Sequence, residues 1–172
     1  MKHLVALSIA ILFVAIAFAI TRPSTPAPAP TDHRVVYIVR HAEKLDGQDP
    51  DLSEAGLTRA DMLAHTLGQE DLGAIFVTDT NRSRQTAAPT ALAHEIKPTQ
   101  YPATDAQALR AMLDALPANT NALVIAHSNT VSSIIEALGG QPIGDLPDDE
   151  YTRLYALVLS DAQLTRTLQL SY

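Results

Sequence analysis

A short run of apolar, mostly β-branched residues at positions 35–39 constrains the fold more than any other stretch of the chain. Five residues are too few for a helix, and a run without polar alternation is typical of a parallel strand covered on both faces. The run ends at Arg40 and His41. Ligands of open α/β sheets bind outside the carboxyl ends of the strands, so this pair lies where a ligand site is expected. Taken alone, the pair favours a strand that simply ends in polar surface residues.

The rest of the chain predicts strands that alternate with helices. Further strands are predicted at residues 74–77, around 99–101, at 121–126, and as a pair at 151–159 and 164–170. Helices are predicted from a cap at Ser53 to Gly68, from near Asn81, from 105 to 116, and from a cap at Ser128 or Asn129 to 138. Pro89 is expected to kink the second helix or to move its regular part downstream. This order predicts an α/β fold with a mostly parallel central sheet, helices on both faces and an antiparallel edge strand from the C-terminal hairpin.

Composition limits the class of protein. A chain of 172 residues with 47% hydrophobic residues can bury one core. The formal net charge of -7 argues against nucleic acid as a partner, because nonspecific binding to phosphate backbones needs a basic surface. The absence of cysteine excludes disulfides, thiolate metal sites and a cysteine nucleophile. The histidines show no metal-ligand spacing, so neither a metal nor a cofactor is expected.

The N-terminal part predicts export or membrane attachment. Lys2 precedes an apolar run at residues 4–20, which as a helix would span about 26 Å against a hydrocarbon core of about 30 Å. The length of this run favours a retained transmembrane anchor, whereas small residues at 15–19 suit a cleaved signal peptide. Residues 21–32 are proline-rich and predict an extended linker before a folded domain at 33–172. The expected location is the cell envelope, either anchored and facing outward or secreted after cleavage.

Cationic side chains follow three of the predicted strands. Arg40 and His41 end the first strand, Arg82 comes shortly after the second, and His127 ends the strand at 121–126. Right-handed crossovers bring the ends of parallel strands to one edge of the sheet, so these residues can converge. Two arginines can bind a phosphate through paired N–H donors, and a neutral imidazole can attack phosphorus. A helix beginning near Ser128 would add backbone N–H donors for the same anion.

Four stretches, in order along the chain, resemble the motifs of the histidine phosphatase (phosphoglycerate mutase-like) superfamily. Residues 39–43 resemble its Arg-His-Gly motif, and residues 51–56 resemble its Leu-Thr/Ser-Glu-x-Gly helix start. Residues 78–87 resemble its Arg-Ala-x-Gln-Thr-Ala segment, and residues 124–129 resemble its second histidine motif. The resemblance covers essentially residues 34–172 and implies a compact member without large cap insertions.

The resemblance assigns roles to individual residues. It implies that His41 is the nucleophile, which would form a phosphohistidine, and that Arg40 and His127 bind the phosphate. Arg82 is the expected second arginine, with Arg84 as the competing choice. Together with Ser128 and Asn129 of the second histidine motif, these residues form the expected phosphate-binding set. The implied activity is hydrolysis of a phosphomonoester, with mutase activity less expected, and the alternative is a catalytically weak phosphate-binding or scaffold module.

Two departures from the family pattern concern the backbone and the acid. Ala42 replaces the usual glycine, which is a mild change if the backbone there does not need a positive φ. Ser128 stands where one branch of the family has an aspartic acid that donates a proton. Asp105 is the expected replacement acid and Glu43 the alternative, although Asp105 can equally serve as the N-cap of its helix. The expected substrate is a phosphorylated small molecule or an envelope glycan.

Overall fold

The computed structural model describes residues 32–172. The predicted signal or anchor at residues 4–20 and, apart from Asp32, the predicted linker lie outside the described residues. Within residues 32–172, no helix is both long enough and apolar enough to cross a membrane.

The described residues form a six-stranded sheet with four helices. The elements are β1 (His33–Arg40), α1 (Glu54–Thr66), β2 (Leu72–Val77), α2 (Asn81–Ala93), β3 (Thr99–Gln100), α3 (Ala106–Asp114), β4 (Asn121–Ala126), α4 (Val131–Ala137), β5 (Arg153–Ser160) and β6 (Gln163–Ser171). The strand order is β3-β2-β4-β1-β5-β6. The pairs β3–β2, β2–β4 and β4–β1 are parallel, whereas β5 and β6 form an antiparallel hairpin at the edge. The predicted α/β fold class is confirmed.

Strand β1 is apolar from Val35 to Val39 because each of its faces is covered by helices. Val36 and Ile38 belong to the core layer that contains residues of α3 and α4. Tyr37 and Val39 point to the opposite layer, which contains residues of α1 and α2. Successive side chains of a strand point to opposite faces, so one short run supplies both layers of the core. The strand thus holds its C-terminal residues, Arg40 onward, in fixed positions between two packed layers.

Two predicted helix features differ in the structure. Helix α2 runs from Asn81 through Pro89 without a downstream shift, because Pro89 removes a single backbone bond while Ala87 and Ala91 pack into the core. The N-cap position of helix α4 is Thr130, whose side chain makes no capping hydrogen bond, so the predicted start at Ser128 or Asn129 is wrong. The Thr130 hydroxyl accepts a hydrogen bond of 3.0 Å from the backbone N–H of His127, which closes a turn before the helix. A turn therefore follows β4 where a helix N-terminus was expected.

Candidate active site

The two histidines of the site are brought together by the pairing of β1 with β4. Arg40 lies opposite Ala126 in this parallel pair. One residue further along, the backbone N–H of His41 donates to the Ala126 carbonyl at 2.9 Å. His41 and His127 therefore leave neighbouring strands at the same level. Their ring centroids lie 5.2 Å apart, with the ring planes inclined at 63°.

The hydrogen bonding of His41 leaves one ring nitrogen with a free lone pair. Its Nδ1 lies 2.8 Å from the Ala42 carbonyl oxygen. A carbonyl oxygen only accepts hydrogen bonds, so Nδ1 carries the proton and Nε2 is the basic nitrogen. Burial lowers the pKa of His41 to about 3, and the neighbouring His127, Arg82 and Arg40 add to the effect. The ring is therefore neutral near pH 7, which is the form that can act as a nucleophile.

His127 is oriented by hydroxyl groups at the end of β2. Its Nε2 lies 3.0 Å from Thr78 Oγ1, which in turn lies 3.2 Å from Thr80 Oγ1. Burial lowers the pKa of His127 to about 4, with further contributions from Arg82 and Arg40. Both rings are thus uncharged at neutral pH, and the arginines supply the positive charge of the site.

The two arginines of the 78–87 segment have different surroundings. Arg82 lies near His41 and His127, and its Nη1 makes only a long ion pair of 3.7 Å with Asp49. Arg84 instead bonds Asp79 at 2.7 Å and Asn81 at 2.8 Å on the exposed side of α2. The structure therefore places Arg82, and not Arg84, beside the histidines.

Arg40 joins the site to the segment before β5. Its Nη1 donates to the carbonyl oxygens of Pro147 at 2.8 Å, Asp148 at 3.0 Å and Glu150 at 3.2 Å. Its guanidinium carbon lies 4.1 Å from the centre of the Tyr151 ring, which is a cation–π contact. The Nε atoms of Arg40 and of Arg82 are buried and have no hydrogen-bond partner in residues 32–172. Buried donors of this kind normally have an acceptor, and oxygens of an anion would supply one.

A pocket of about 460 Å³ collects these groups. The expected nucleophile His41 lines it, together with all of the expected phosphate-binding residues: Arg40, Arg82, His127, Ser128 and Asn129. Its other lining residues are Lys44, Thr80, Ala103, Thr104, Thr130 and Asp148. Among residues 32–172 there is no cluster of carboxylates and histidines that could hold a metal ion. The pocket is suited to an anion of the size and charge of phosphate.

Neither expected acid lines the pocket. Asp105 caps α3, where its carboxylate accepts a 2.8 Å hydrogen bond from the N–H of Ala108, so the capping alternative describes it. Glu43 receives hydrogen bonds of 2.6–2.8 Å from Arg59. Burial would raise the pKa of Glu43, but the hydrogen bonds and charge of Arg59 outweigh it and lower this pKa. Glu43 is thus a paired carboxylate, and the pocket obtains no proton donor from either residue.

Comparisons with known proteins agree with this geometry. Residues 36–105 match the family model described as the histidine phosphatase superfamily (branch 1). Over these residues, the chain is similar to members of that superfamily. No curated protein sequence matches it significantly.

Several solved structures share the fold of this chain at low sequence identity. A protein histidine phosphatase SixA complexed with tungstate is 23% identical, with a TM-score of 0.67 over 80% of this chain and 96% of that one. A mycobacterial glucosyl-3-phosphoglycerate phosphatase is 17% identical, with a TM-score of 0.58 over 81% and 98%. A phosphoglycerate mutase from Plasmodium falciparum is 16% identical, with a TM-score of 0.56 over 81% and 90%. The chain therefore spans nearly the whole length of these compact structures.

The 78–87 segment of this chain also holds the other motifs in place. Thr86 Oγ1 accepts a 2.9 Å hydrogen bond from the N–H of Ala42, next to His41. Gln85 accepts from the N–H of Leu52 at 2.7 Å and donates to the carboxylate of Asp51 at 3.0 Å. Thr86 therefore holds the backbone beside His41, and Gln85 holds the loop at residues 51–52. These contacts explain the spacing of the glutamine and the threonine after Arg82.

Two small residues let the loops of the site approach closely. A Cβ atom at Gly56 would lie 2.0 Å from the Glu43 carbonyl oxygen, so only glycine fits where α1 meets the segment after His41. Ala42 is fully buried, and its φ is not positive. The alanine that replaces the family's glycine therefore introduces no backbone strain.

Part of this site carries no recognisable sequence motif. Asp148 and Tyr151 lie in the connection between α4 and β5, which carries none of the four motifs. Only their contacts with Arg40 and the pocket reveal that this segment belongs to the site. Proximity to Arg40 was not predictable, because nothing in a loop sequence fixes the direction in which it folds back.

Proposed function

We propose that this protein is a phosphatase that hydrolyses a phosphomonoester through a phosphohistidine on His41. The observation that carries the proposal is the Nδ1 hydrogen bond of His41 to the Ala42 carbonyl. It leaves Nε2 with a lone pair in a pocket that also holds two arginines and a second histidine. Phosphatase activity in general is supported by the match to the family model and by the phosphatases among the similar structures.

The arrangement supports a two-step mechanism. In the first step, Nε2 of His41 forms a bond to phosphorus while the bond to the leaving oxygen breaks, and the leaving group departs. The Ala42 carbonyl stabilises the positive charge that the ring then carries. Arg40, Arg82 and His127 stabilise the negative charge on the three phosphoryl oxygens, where it accumulates in the transition state. In the second step, water attacks phosphorus, and the electron pair of the N–P bond returns to Nε2.

The test compares the full chain with His41→Ala and with His65→Ala, which removes a histidine exposed on α1 as a control. Hydrolysis of p-nitrophenyl phosphate is measured, and a phosphoenzyme labile to acid is trapped by denaturation. We expect both signals to disappear in His41→Ala, with a loss in kcat of at least about 10³-fold, and to persist in His65→Ala. Activity that survives in His41→Ala would overturn the mechanism.

The substrate is proposed to be a phosphorylated small molecule or an envelope glycan. The order of elements in residues 32–172 includes no inserted subdomain over the pocket, which suits a large or extended substrate. The similar structures include a protein histidine phosphatase and a phosphatase of a phosphorylated sugar compound, so both kinds of phosphoryl group are reasonable to test. The apolar run at residues 4–20 supports a location in the cell envelope, by anchorage or after cleavage.

The alternative is a phosphate-binding or scaffold module with weak catalysis. The position of Asp105 and Glu43 outside the pocket favours this alternative, because it removes both expected proton donors. A titration with inorganic phosphate separates the two functions. Binding of phosphate without turnover of any aryl phosphate, in the full chain and in His41→Ala alike, would support the module.

A further inference from the structure

One carboxylate does line the pocket, and it belongs to Asp148. It is the only acidic residue among the described residues that form the pocket wall. The residue is exposed, and its carboxylate makes no hydrogen bond or ion pair within residues 32–172. Acidic side chains elsewhere near the site are engaged, as Glu43 is with Arg59 and Glu150 is with Thr152 and Arg153. Among the described residues that line the pocket, Asp148 therefore supplies the one unpaired carboxyl group.

The backbone of Asp148 is held at the pocket by Arg40 itself. Arg40 Nη1 donates to the Asp148 carbonyl at 3.0 Å, to that of Pro147 just before it and to that of Glu150 two residues after it. The Tyr151 ring packs against the same guanidinium. Arg40 thus holds the loop that carries Asp148. The same arginine is expected to bind the phosphate, so the carboxyl group and the phosphate would lie close together. Although the Asp148 side chain is exposed, the contact with Arg40 holds its backbone in place at the pocket.

We propose that Asp148 is the general acid and base of the phosphatase reaction, which rests on the function proposed above. In the first step, Nε2 of His41 bonds to phosphorus, the P–O bond breaks, and the leaving oxygen takes the proton of the Asp148 carboxyl group. In the second step, the Asp148 carboxylate takes a proton from the attacking water as its oxygen bonds to phosphorus. The N–P bond breaks, its electron pair returns to His41, and phosphate is released with Asp148 protonated again.

Proton donation matters most when the leaving oxygen is strongly basic, as in an alkyl alcohol, and least when it is a stabilised phenolate. The dependence on the leaving group is therefore the signature of this role.

The test uses Asp148→Asn in the full chain, with Asp149→Asn as the matched control on the neighbouring residue, which does not line the pocket. Both are assayed with p-nitrophenyl phosphate and with glycerol 2-phosphate. We expect Asp148→Asn to lower kcat/KM for the alkyl ester by about 10²- to 10³-fold but for the nitrophenyl ester by no more than about 5-fold. Asp149→Asn should change neither by more than about 2-fold.

The outcomes separate this proposal from the function on which it rests. An equal loss with both esters in Asp148→Asn would overturn the proposal, because it would indicate a role in binding or in loop structure. No loss with either ester would overturn it as well. Trapped phosphoenzyme in the parent protein is the independent readout of the underlying function: if it forms while Asp148→Asn shows no dependence on the leaving group, only the role of Asp148 fails.

Discussion

Arg82 and Arg84 are two residues apart on one helix, yet only Arg82 has a free guanidinium edge in the pocket. Arg82 Nε is buried without a partner, and its ion pair with Asp49 is long at 3.7 Å. Arg84 is half-exposed and already occupied by Asp79 and Asn81. A two-residue step along a helix turns a side chain by about 200°, which explains the difference in direction.

Replacing these two arginines separately tests the assignment. Arg82→Ala should lower kcat/KM for aryl phosphates by at least about 10²-fold, because charge-assisted hydrogen bonds to the phosphoryl oxygens are lost. Arg84→Ala should change kcat/KM by less than about 2-fold, since its partners lie on the surface. Steady-state kinetics of both variants provide the measurement. A larger effect in Arg84→Ala than in Arg82→Ala would reverse the assignment.

At the scale of single residues, sequence reasoning succeeded where a motif fixed the spacing. Arg40, His41, Arg82 and His127 all reach one pocket, as predicted. The prediction of Asp105 as the acid was not supported, because its carboxylate accepts a hydrogen bond at the N-terminus of its own helix. Capping residues and catalytic acids are the same residue types, so sequence alone cannot separate the two uses.

Among the elements, α1 makes the tightest contact with the segment that follows His41. The Glu43 carbonyl accepts a hydrogen bond of 2.9 Å from the N–H of Ser53, and Ser53 in turn caps the helix. Gly56 lies directly against the same carbonyl, with no room for a Cβ atom. The start of the helix therefore docks on the backbone of the catalytic segment.

Gly56→Ala should destabilise the protein even though alanine is the better helix former. Helix propensity would add about 1 kcal/mol of stability, but the clash with the Glu43 carbonyl should outweigh this gain. We expect a net loss of about 1–3 kcal/mol in the free energy of unfolding, measured with urea. Thr58→Ala, on the exposed side of the same helix, is the control and should change stability by less than about 0.5 kcal/mol. Unchanged or increased stability of Gly56→Ala would contradict the close contact.

Most elements were predictable from periodicity, and the exceptions have local causes. Strand β4 was predicted at residues 121–126, the bounds it has in the structure, because a continuous apolar run between polar turns has few alternatives. The start of α4 was misplaced because Ser128, Asn129 and Thr130 are all acceptable capping residues. The hydrogen bond from the His127 N–H selects Thr130, and that contact depends on the direction in which β4 ends.

At the scale of the whole molecule, the two buried histidines link stability to pH. Their pKa values lie at about 3 and about 4 in the folded protein, against about 6.5 in an unfolded chain. Between these values the unfolded chain binds more protons, so acidification favours unfolding. The loss begins as the pH falls below about 6.5. It slows near pH 4, where His127 becomes protonated in the folded state, and ends near pH 3, where His41 does too.

Urea unfolding at pH 7.5, 6 and 5 measures this linkage. We expect the parent protein to lose about 1–3 kcal/mol over this range. The double variant His41→Asn/His127→Asn lacks both groups and should show a shallower dependence on pH. If the two proteins lose stability in parallel, the buried histidines are not the cause.

The direction of β1 has a consequence for where the pocket faces. At about 3.3 Å per residue, the strand carries the chain roughly 23 Å from His33 to Arg40. Whatever precedes Asp32 is therefore joined to the domain at the end of the sheet remote from the pocket. In the anchored arrangement that we propose, attachment and opening lie at opposite ends of the domain. A phosphoryl group that stands well clear of the bilayer, as on an extended glycan, is then in easier reach than one on a lipid headgroup.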